Sequence, residues 1–306
     1  MTVTLLIDSL LRSLQVGSLY ALMAIGLTLT MNVVRLPNFA HAEYITIGAY
    51  TALVVSLGVS SNPVIVLGAA FIVTALVALA SHLTVFRPLE KQRTSTYTML
   101  LASFAVGLIL RYILFLLADT FELFDKRIQI PLEIWYRSNV MILTNIFFWV
   151  VPSSIGLVIA LSLLLNYTPL GREMRALANN FDLARAIGIR VNRVVNLTWL
   201  LVGGLAGVAG ALLGIYTSVN PLTGWFAILP VFAAAILGGL SSFPGTILGA
   251  YLVALSENTI MQILNSYLGL DFSFKTAIPF VIIILVLLFR PRGFTELLPG
   301  SRGLQR

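Results

Sequence analysis

The stretch RLPNFAHAEY (35–44) sets an arginine, a proline, an asparagine, a histidine and a glutamate close together in a chain that is otherwise poor in them. Positions 13–34 hold no Asp, Glu, Lys, Arg or His, and neither do positions 45–81. The chemistry open to Asn38, His41 and Glu43 is non-covalent: hydrogen bonding, charge pairing and proton exchange. Pro37 removes a backbone donor and disfavours helix at Leu36. The stretch is therefore either an ordinary loop between two spans or a broken helix bordering a translocation route. Covalent chemistry finds no support. The chain has no phosphate-cradling G-x-x-x-x-G-K-[ST] loop, no H-E-x-x-H and no G-x-S-x-G. Cysteine is absent, and His41 and His82 are too few and too far apart to suggest a metal site.

A second chemistry-bearing segment is GREMRALANNFDLARAIGIRVNR (171–193). Leu170, Met174, Leu177, Phe181, Ala184 and Gly188 recur at steps of three and four, which predicts one apolar stripe on a helix. Arg172, Arg175, Asn179, Asp182 and Arg185 fall on the opposite face. Gly188 and the Asn179–Asn180 pair predict two short helices with a bend. Such an element either floats on lipid headgroups or docks its stripe into a groove on a soluble partner. A third pattern is Gly203, Gly204, Gly207, Gly210 and Gly214, whose spacing lets helix backbones approach closely. That pattern is read as packing. Arg111 and Glu257 lie near the ends of apolar runs, where snorkelling to the interface is cheap, and are given structural roles.

The elements that must position these residues follow from composition. The 306 residues are 58% hydrophobic and only 10% charged, with a mean hydropathy of +0.97. A soluble globular domain carries about 25% charged residues, so this chain cannot cover a surface facing water. It is an integral membrane protein, and its long continuous apolar runs specify helices rather than the alternating strands of a barrel. Spans are expected at 10–34, 40–58, 63–86, 94–118, 146–166, 195–217, 227–240 with 243–264, and 274–290. The expected fold is an all-α polytopic membrane protein of about eight transmembrane helices, with at least one broken or re-entrant segment, forming a single domain over 1–306. The early Asp8 and Arg12 argue against a cleaved signal peptide.

The net charge of +7 suits a cytoplasmic rim better than nucleic acid. Twelve of the 19 basic residues fall in three segments: Arg87, Lys91 and Arg93; Arg172, Arg175, Arg185, Arg190 and Arg193; and Arg290, Arg292, Arg302 and Arg306. Those segments are assigned to the cytoplasm, with the polar loop at about 167–194 as the second. The mixed-charge segment at about 119–145 is assigned to the exterior, which puts the N-terminus outside and the C-terminus inside. A short internal echo, GAYTALVV (48–55) and GAYLVALS (249–256), hints at a repeat of the kind transporters build around broken helices.

Several blocks, in order along the chain, carry a family resemblance. GSLYALMAIGLTLTMNVVRLPNFAHAEYITIGAY (17–50) resembles the opening of branched-chain amino acid ABC importer permeases, of the type with an LPNFAHG-like motif. Here Glu43 follows Ala42 where many relatives have a glycine and an acidic residue. The block 171–214 resembles the coupling loop and the span after it, and 233–257 and 285–294 resemble later blocks. The resemblance implies an inner-membrane or plasma-membrane permease paired with a second, non-identical permease. Two cytoplasmic ATPase subunits would carry ATP and Mg, and an extracytoplasmic binding protein would deliver the solute. The chain itself would bind no cofactor or metal and catalyse no covalent step. The resemblance implies ATPase coupling by Arg172, Arg175, Leu177, Phe181, Asp182, Ala184, Arg185 and Gly188, of which only the Ala184-x-x-x-Gly188 part keeps the general coupling motif. It also implies a translocation pathway past Asn38, Phe39, His41 and Glu43, and helix packing through Gly203, Gly207, Gly210 and Gly214. Relatives also carry urea, short amides or other small solutes, and a stand-alone secondary transporter is the competing class.

Overall fold

The computed structural model describes residues 3–130, 133–137, 142–240, 242–289 and 293. The tail arginines Arg290, Arg292, Arg302 and Arg306 lie outside them. Long apolar segments become helices because lipid offers backbone groups no partner except one another. In chain order these are α1 (Val3–Leu29), running on as a π turn (Thr30–Val34), α2 (His41–Gly58), and α3 (Pro63–Ser81), running through a second π turn (His82–Phe86) into α4 (Arg87–Lys91). Then follow α5 (Thr96–Thr120), the hairpin β1 (Ile134–Arg137) and β2 (Ile142–Thr144), α6 (Asn145–Tyr167), α7 (Pro169–Asn179), α8 (Phe181–Ala186) and α9 (Val191–Tyr216). The chain continues with α10 (Thr223–Gly238), α11 (Phe243–Leu255), a third π turn (Ser256–Ile260), α12 (Met261–Leu268), a 3-10 segment (Phe272–Ala277) and α13 (Ile278–Phe289).

Among the described residues, 7 helices are long and apolar enough to cross a membrane, with Thr223–Gly238 as a shorter apolar one. The expected span at 40–58 is present as α2 but is not among the seven. Its first turn carries His41 and Glu43, which lower its apolar character. The small antiparallel hairpin within the segment expected to be external was not foreseen. The outer faces are apolar: Ile72, Ile109, Leu116, Leu163 and Leu288 are all exposed. Water would not tolerate apolar surface on this scale, but lipid or a neighbouring subunit would.

The chain divides into two compact units. The first comprises Met1–Thr28, Pro131–Ile155 and Leu229–Arg306. Here α1 meets the α11 to α12 stretch through a ladder of buried polar pairs: Ser13 with Thr259 at 2.8 Å, Ser18 with Tyr251 at 3.0 Å, and Thr28 with Thr246 at 2.9 Å. The Tyr20 hydroxyl donates to Glu257 at 2.8 Å. Glu257 therefore does not snorkel as expected. It is buried inside a helix that has widened into a π turn.

The second unit comprises Leu29–Ile130 and Gly156–Ile228, and α9 packs at its centre against α2 and α3. In lipid no hydrophobic force drives helices together, so close van der Waals approach has to do it. Glycine permits that approach. A Cβ on Gly210 would overlap the Ile45 carbonyl oxygen, one on Gly207 the Ala70 carbonyl, and one on Gly203 Ala78 and the backbone of Thr74. Gly48 meets Gly207 backbone to backbone. The echo noted in the sequence falls one copy to each unit: Gly48 of α2 lies against Gly207 of α9, and Gly249 of α11 lies against Ala234 and Gly238 of α10.

Gly210→Ala is expected to destabilise the detergent-solubilised chain by about 1–3 kcal/mol through overpacking. Gly68→Ala, on α3 with open space where the methyl would go, is expected to be neutral or stabilising by about 0.5–1 kcal/mol. Thermal unfolding of both variants checks the contrast; equal melting points would refute the close-approach account.

Candidate functional site

The interruption at 35–40 is packed against the interior of α5 rather than its end. Gly107 of α5 lies beside the Cα of Ala40. At 1.5 Å per residue, Gly107 is about 16 Å along α5 from Thr96, and the exposed, charged residues 91–93 just before that helix mark a membrane edge. A second ruler agrees. Tyr44 stacks edge-on to Trp199 at 6.5 Å, and Trp199 is about 12 Å along α9 from Val191. With a hydrocarbon layer of about 30 Å, α2 begins at membrane depth. Of the two readings the sequence allowed, the broken helix is the one that matches this geometry.

Backbone groups set free at such a depth need partners. The Ser103 hydroxyl of α5 supplies one of them: it accepts the Phe39 N–H at 3.1 Å, while its own proton goes to the Leu100 carbonyl at 2.7 Å, with the Pro37 carbonyl farther off at 3.3 Å. Asn38 accepts the Ala40 N–H at 3.1 Å through its side chain, and its carbonyl takes the His41 N–H, a local turn that leads into α2, whose N-cap residue is Ala40. Phe39 packs edge-on to Phe104 at 6.3 Å. Asn38, His41 and Glu43 are fully buried.

One turn into α2, Glu43 meets Arg111 of α5. A single carboxylate oxygen, Oε1, accepts both the Arg111 Nε at 2.9 Å and its Nη2 at 2.5 Å. The guanidinium lies 4.1 Å from the centre of the Trp225 ring, in cation–π contact. Trp225 stands in the first turn of α10, which Thr46 anchors by accepting the Gly224 N–H at 3.1 Å. Among the described residues, the second oxygen of Glu43 and the Nδ2 of Asn38 are buried with no hydrogen-bond partner. Arg111 is thus a partner in a buried ion pair, not a snorkelling residue. Sequence could not pair it with Glu43, because the contact joins two helices with no periodic relation.

On the other side of α2 lies an aromatic stack. Trp199 is sandwiched between His82 at 5.4 Å and Phe86 at 5.0 Å, both nearly parallel to it. His41 meets Tyr44 edge-on at 6.5 Å. The two histidines, distant in sequence, thus flank one Tyr44–Trp199 pair. Tyr44 and Trp199 were not singled out in the sequence, where each is one aromatic residue among many on an apolar helix.

The 171–193 segment forms two helices that break at Asn180, as the Asn179–Asn180 pair predicted. Thr168 caps α7 and Asn180 caps α8 through their side chains. Gly188, at φ 89°, closes α8: its N–H bonds Arg185 and the Ile189 N–H bonds Ala184, a glycine helix end. Its Cβ position is open, so the requirement is conformational rather than steric. The apolar stripe divides. Gly171, Met174, Leu177 and Ala184 face inward, with α7 packed on α9 and on the π turn after α1. Leu177 and Ala184 are therefore not on the outer surface, contrary to the sequence-based expectation of a stripe presented to a partner. The outer face carries Arg172, Asp182 and Arg185, with Arg175 exposed and donating to the Leu165 carbonyl, and with Leu183 and Ile187 largely exposed. Arg185 lies over the half-buried Phe181 ring at 5.4 Å. Leu183 and Ile187 were missed because they fall off the three-and-four spacing.

Among the described residues, seven helices of spanning length, one of them followed by a break inside the bundle with charge neutralised beside it, define a polytopic helical membrane protein. The comparisons carry this further. The family model described as branched-chain amino acid transport system / permease component matches residues 9–287, and the chain belongs to that family. Its relatives include the probable branched-chain amino acid transport permease protein LivH of Methanocaldococcus jannaschii, 34% identical, covering 91% of this chain and 89% of that protein. BraD, a high-affinity branched-chain amino acid transport system permease protein of Pseudomonas aeruginosa, is 30% identical over 94% of both chains. The corresponding LivH of Escherichia coli is 27% identical over 94% of both. Among solved structures, PsaBC from Streptococcus pneumoniae in complex with Fab aligns over 95% of this chain and 94% of its own, with a TM-score of 0.48 and 14% identity, too distant for residue-level comparison.

Arg111→Ala leaves Glu43 buried and uncompensated, and is expected to destabilise the chain by roughly 3–5 kcal/mol. Replacing both partners by leucine is expected to recover most of that loss. A double-mutant cycle by denaturant titration in detergent checks this; if the double variant loses as much as the two singles added, the two residues do not act as a pair.

Proposed function

We propose that this chain is one of two permease subunits of an ATP-driven importer in the inner or plasma membrane, moving branched-chain amino acids. The observation that carries the reading is the family match over almost the whole chain, together with relatives whose names state branched-chain amino acid transport. In this reading the N-terminus is external, and α7, α8 and the tail face the cytoplasm. The second permease is a non-identical homologue, and a binding protein delivers the solute from outside.

The proposed motor contact is the outer face of α7 and α8. Exposed Leu183 and Ile187 among Arg172, Asp182 and Arg185 have the composition of a docking surface: apolar anchors with a charged rim. Phe181 and Gly188 shape that surface, and the buried Leu177 and Ala184 seat it on the bundle. ATP and Mg reside on two separate ATPase subunits, whose closure on ATP binding moves α7–α8 and switches the access of the pore. Asn38, Phe39, His41 and Glu43 border the pathway. Glu43 and Asn38 each hold a buried polar atom without a partner among the described residues, and such groups suit a route through which a polar solute passes.

The test is reconstitution. The chain, its companion permease, the two ATPases and the binding protein in liposomes are expected to accumulate radiolabelled leucine only with ATP. Arg185→Glu and Gly188→Val are expected to lose ATPase copurification or to uncouple hydrolysis from uptake. Leucine transport by the purified chain alone, with no ATPase, would overturn the reading in favour of a secondary transporter.

A further inference from the structure

The π turn Thr30–Val34 ends on Arg35, whose backbone is left-handed at φ 57° and ψ 32°. A helix end of this shape selects glycine, or asparagine, because a side chain crowds the next carbonyl there. The bond that closes the turn, from the Arg35 N–H to the Thr30 carbonyl, could be made by the backbone of any non-proline residue. The backbone therefore gives no reason for an arginine, but the side chain does. Its Nη2 donates to the Ala178 carbonyl at 3.1 Å and lies 3.5 Å from that of Asn179. These carbonyls end α7, where the helix dipole is negative and a guanidinium is favoured.

On its other side Arg35 leads directly into the break. Pro37 fixes its own φ, Ser103 holds the backbone at Phe39, and the Asn38 side chain holds the Ala40 N–H just ahead of α2. The segment 36–40 therefore has little slack. Movement at Arg35 passes to the first turn of α2, and Glu43 with its Arg111 partner stands on that turn.

We propose that Arg35 is the link through which displacement of α7 reaches the start of α2 and the buried Glu43–Arg111 pair. The inference rests on the motor-driven reading above, in which α7–α8 is the element the motor moves. Arg35 is a positioning residue and touches no solute. Its side chain is exposed, so the bond to α7 can open at modest cost. Its left-handed backbone is one that a non-glycine residue leaves readily once the bond is gone. The two together form an element with two arrangements, bonded and released, as a coupling path requires.

The complete reconstituted complex tests this, with leucine taken up per ATP hydrolysed as the measured quantity. Arg35→Gly keeps the left-handed turn without strain and removes the guanidinium; Arg35→Ala removes both; Arg35→Lys keeps the charge. The glycine and alanine variants are expected to retain subunit copurification and ATP hydrolysis while leucine uptake per ATP falls tenfold or more, with lysine restoring part of it. Wild-type uptake per ATP in Arg35→Gly would overturn the proposal. Failure of all three variants to fold would overturn it too, because the role would then be structural. If the wild-type complex shows no ATP dependence, it is the motor-driven reading that fails, before any variant is compared.

Discussion

A carboxylate inside an apolar helical bundle has to be neutralised where it stands, and much of the second unit is arranged around that demand. Glu43 is fully buried. Arg111 answers it with two N–H groups on one oxygen, and Trp225 lies against the guanidinium. For these three to meet, α2 must begin beside the interior of α5, and α10 must begin beside α2. The chain before α2 must then descend to membrane depth without helical hydrogen bonds. That descent is eased because Ser103 accepts the Phe39 N–H and the Asn38 side chain accepts the Ala40 N–H, two donors that the break leaves outside the helix. The unusual composition of RLPNFAHAEY follows from this geometry: one residue breaks the helix, one makes the turn that leads into its restart, and one carries the charge that fixes where the restart docks.

The surroundings of this feature are rigid by a different means. On α9, glycines bring α2 and α3 to backbone contact, and Trp199 is held between His82 and Phe86. Small residues and stacked rings give dense packing without polar bonds, which suits helices that gain nothing from hydrophobic exclusion in lipid. The first unit uses hydroxyl pairs instead, with Ser13, Ser18 and Thr28 each matched on the α11 to α12 stretch. Ser13 and Ser18 also donate to the Ser9 and Leu14 carbonyls of α1, and Thr246 to that of Ser242, so each pair adds a cross-helix contact to a hydroxyl already bonded within its own helix.

The α7–α8 element faces two ways. Its inward residues, Met174, Leu177 and Ala184, seat it on the second unit, so it is carried by the bundle rather than resting on a lipid surface alone. Its outward residues combine exposed Leu183 and Ile187 with guanidinium groups. A rigid seat on one side and an anchor-rich face on the other is what a part needs if it is to receive force from a separate subunit and pass it inward. Arg35 stands where the end of α7 meets the chain entering the break.

The spans were readable in the sequence because lipid imposes a length and an apolar composition that no tertiary contact can relax. The bend at Asn179–Asn180 and the end at Gly188 were readable because caps and left-handed turns are local chemistry. The glycine ladder on α9 was readable as a packing face, though not which helices it meets. Arg111, Glu257, Leu177 and Ala184 were misplaced for a shared reason. Periodicity and distance from the end of a run show which face a residue takes, but not what covers that face. Arg111 lies about 13 Å short of the end of α5, and only the fold sets Glu43 opposite it. By itself the sequence determined that this is a helical membrane chain with a polar interruption after its first span, left open between a loop and a broken helix, and a two-helix cassette between α6 and α9, since those features depend on solvent and local backbone energetics. Only the tertiary structure decided the depth of the break, the partner of its charge and the face of α7 that remains open, because each depends on contacts between residues far apart in the chain.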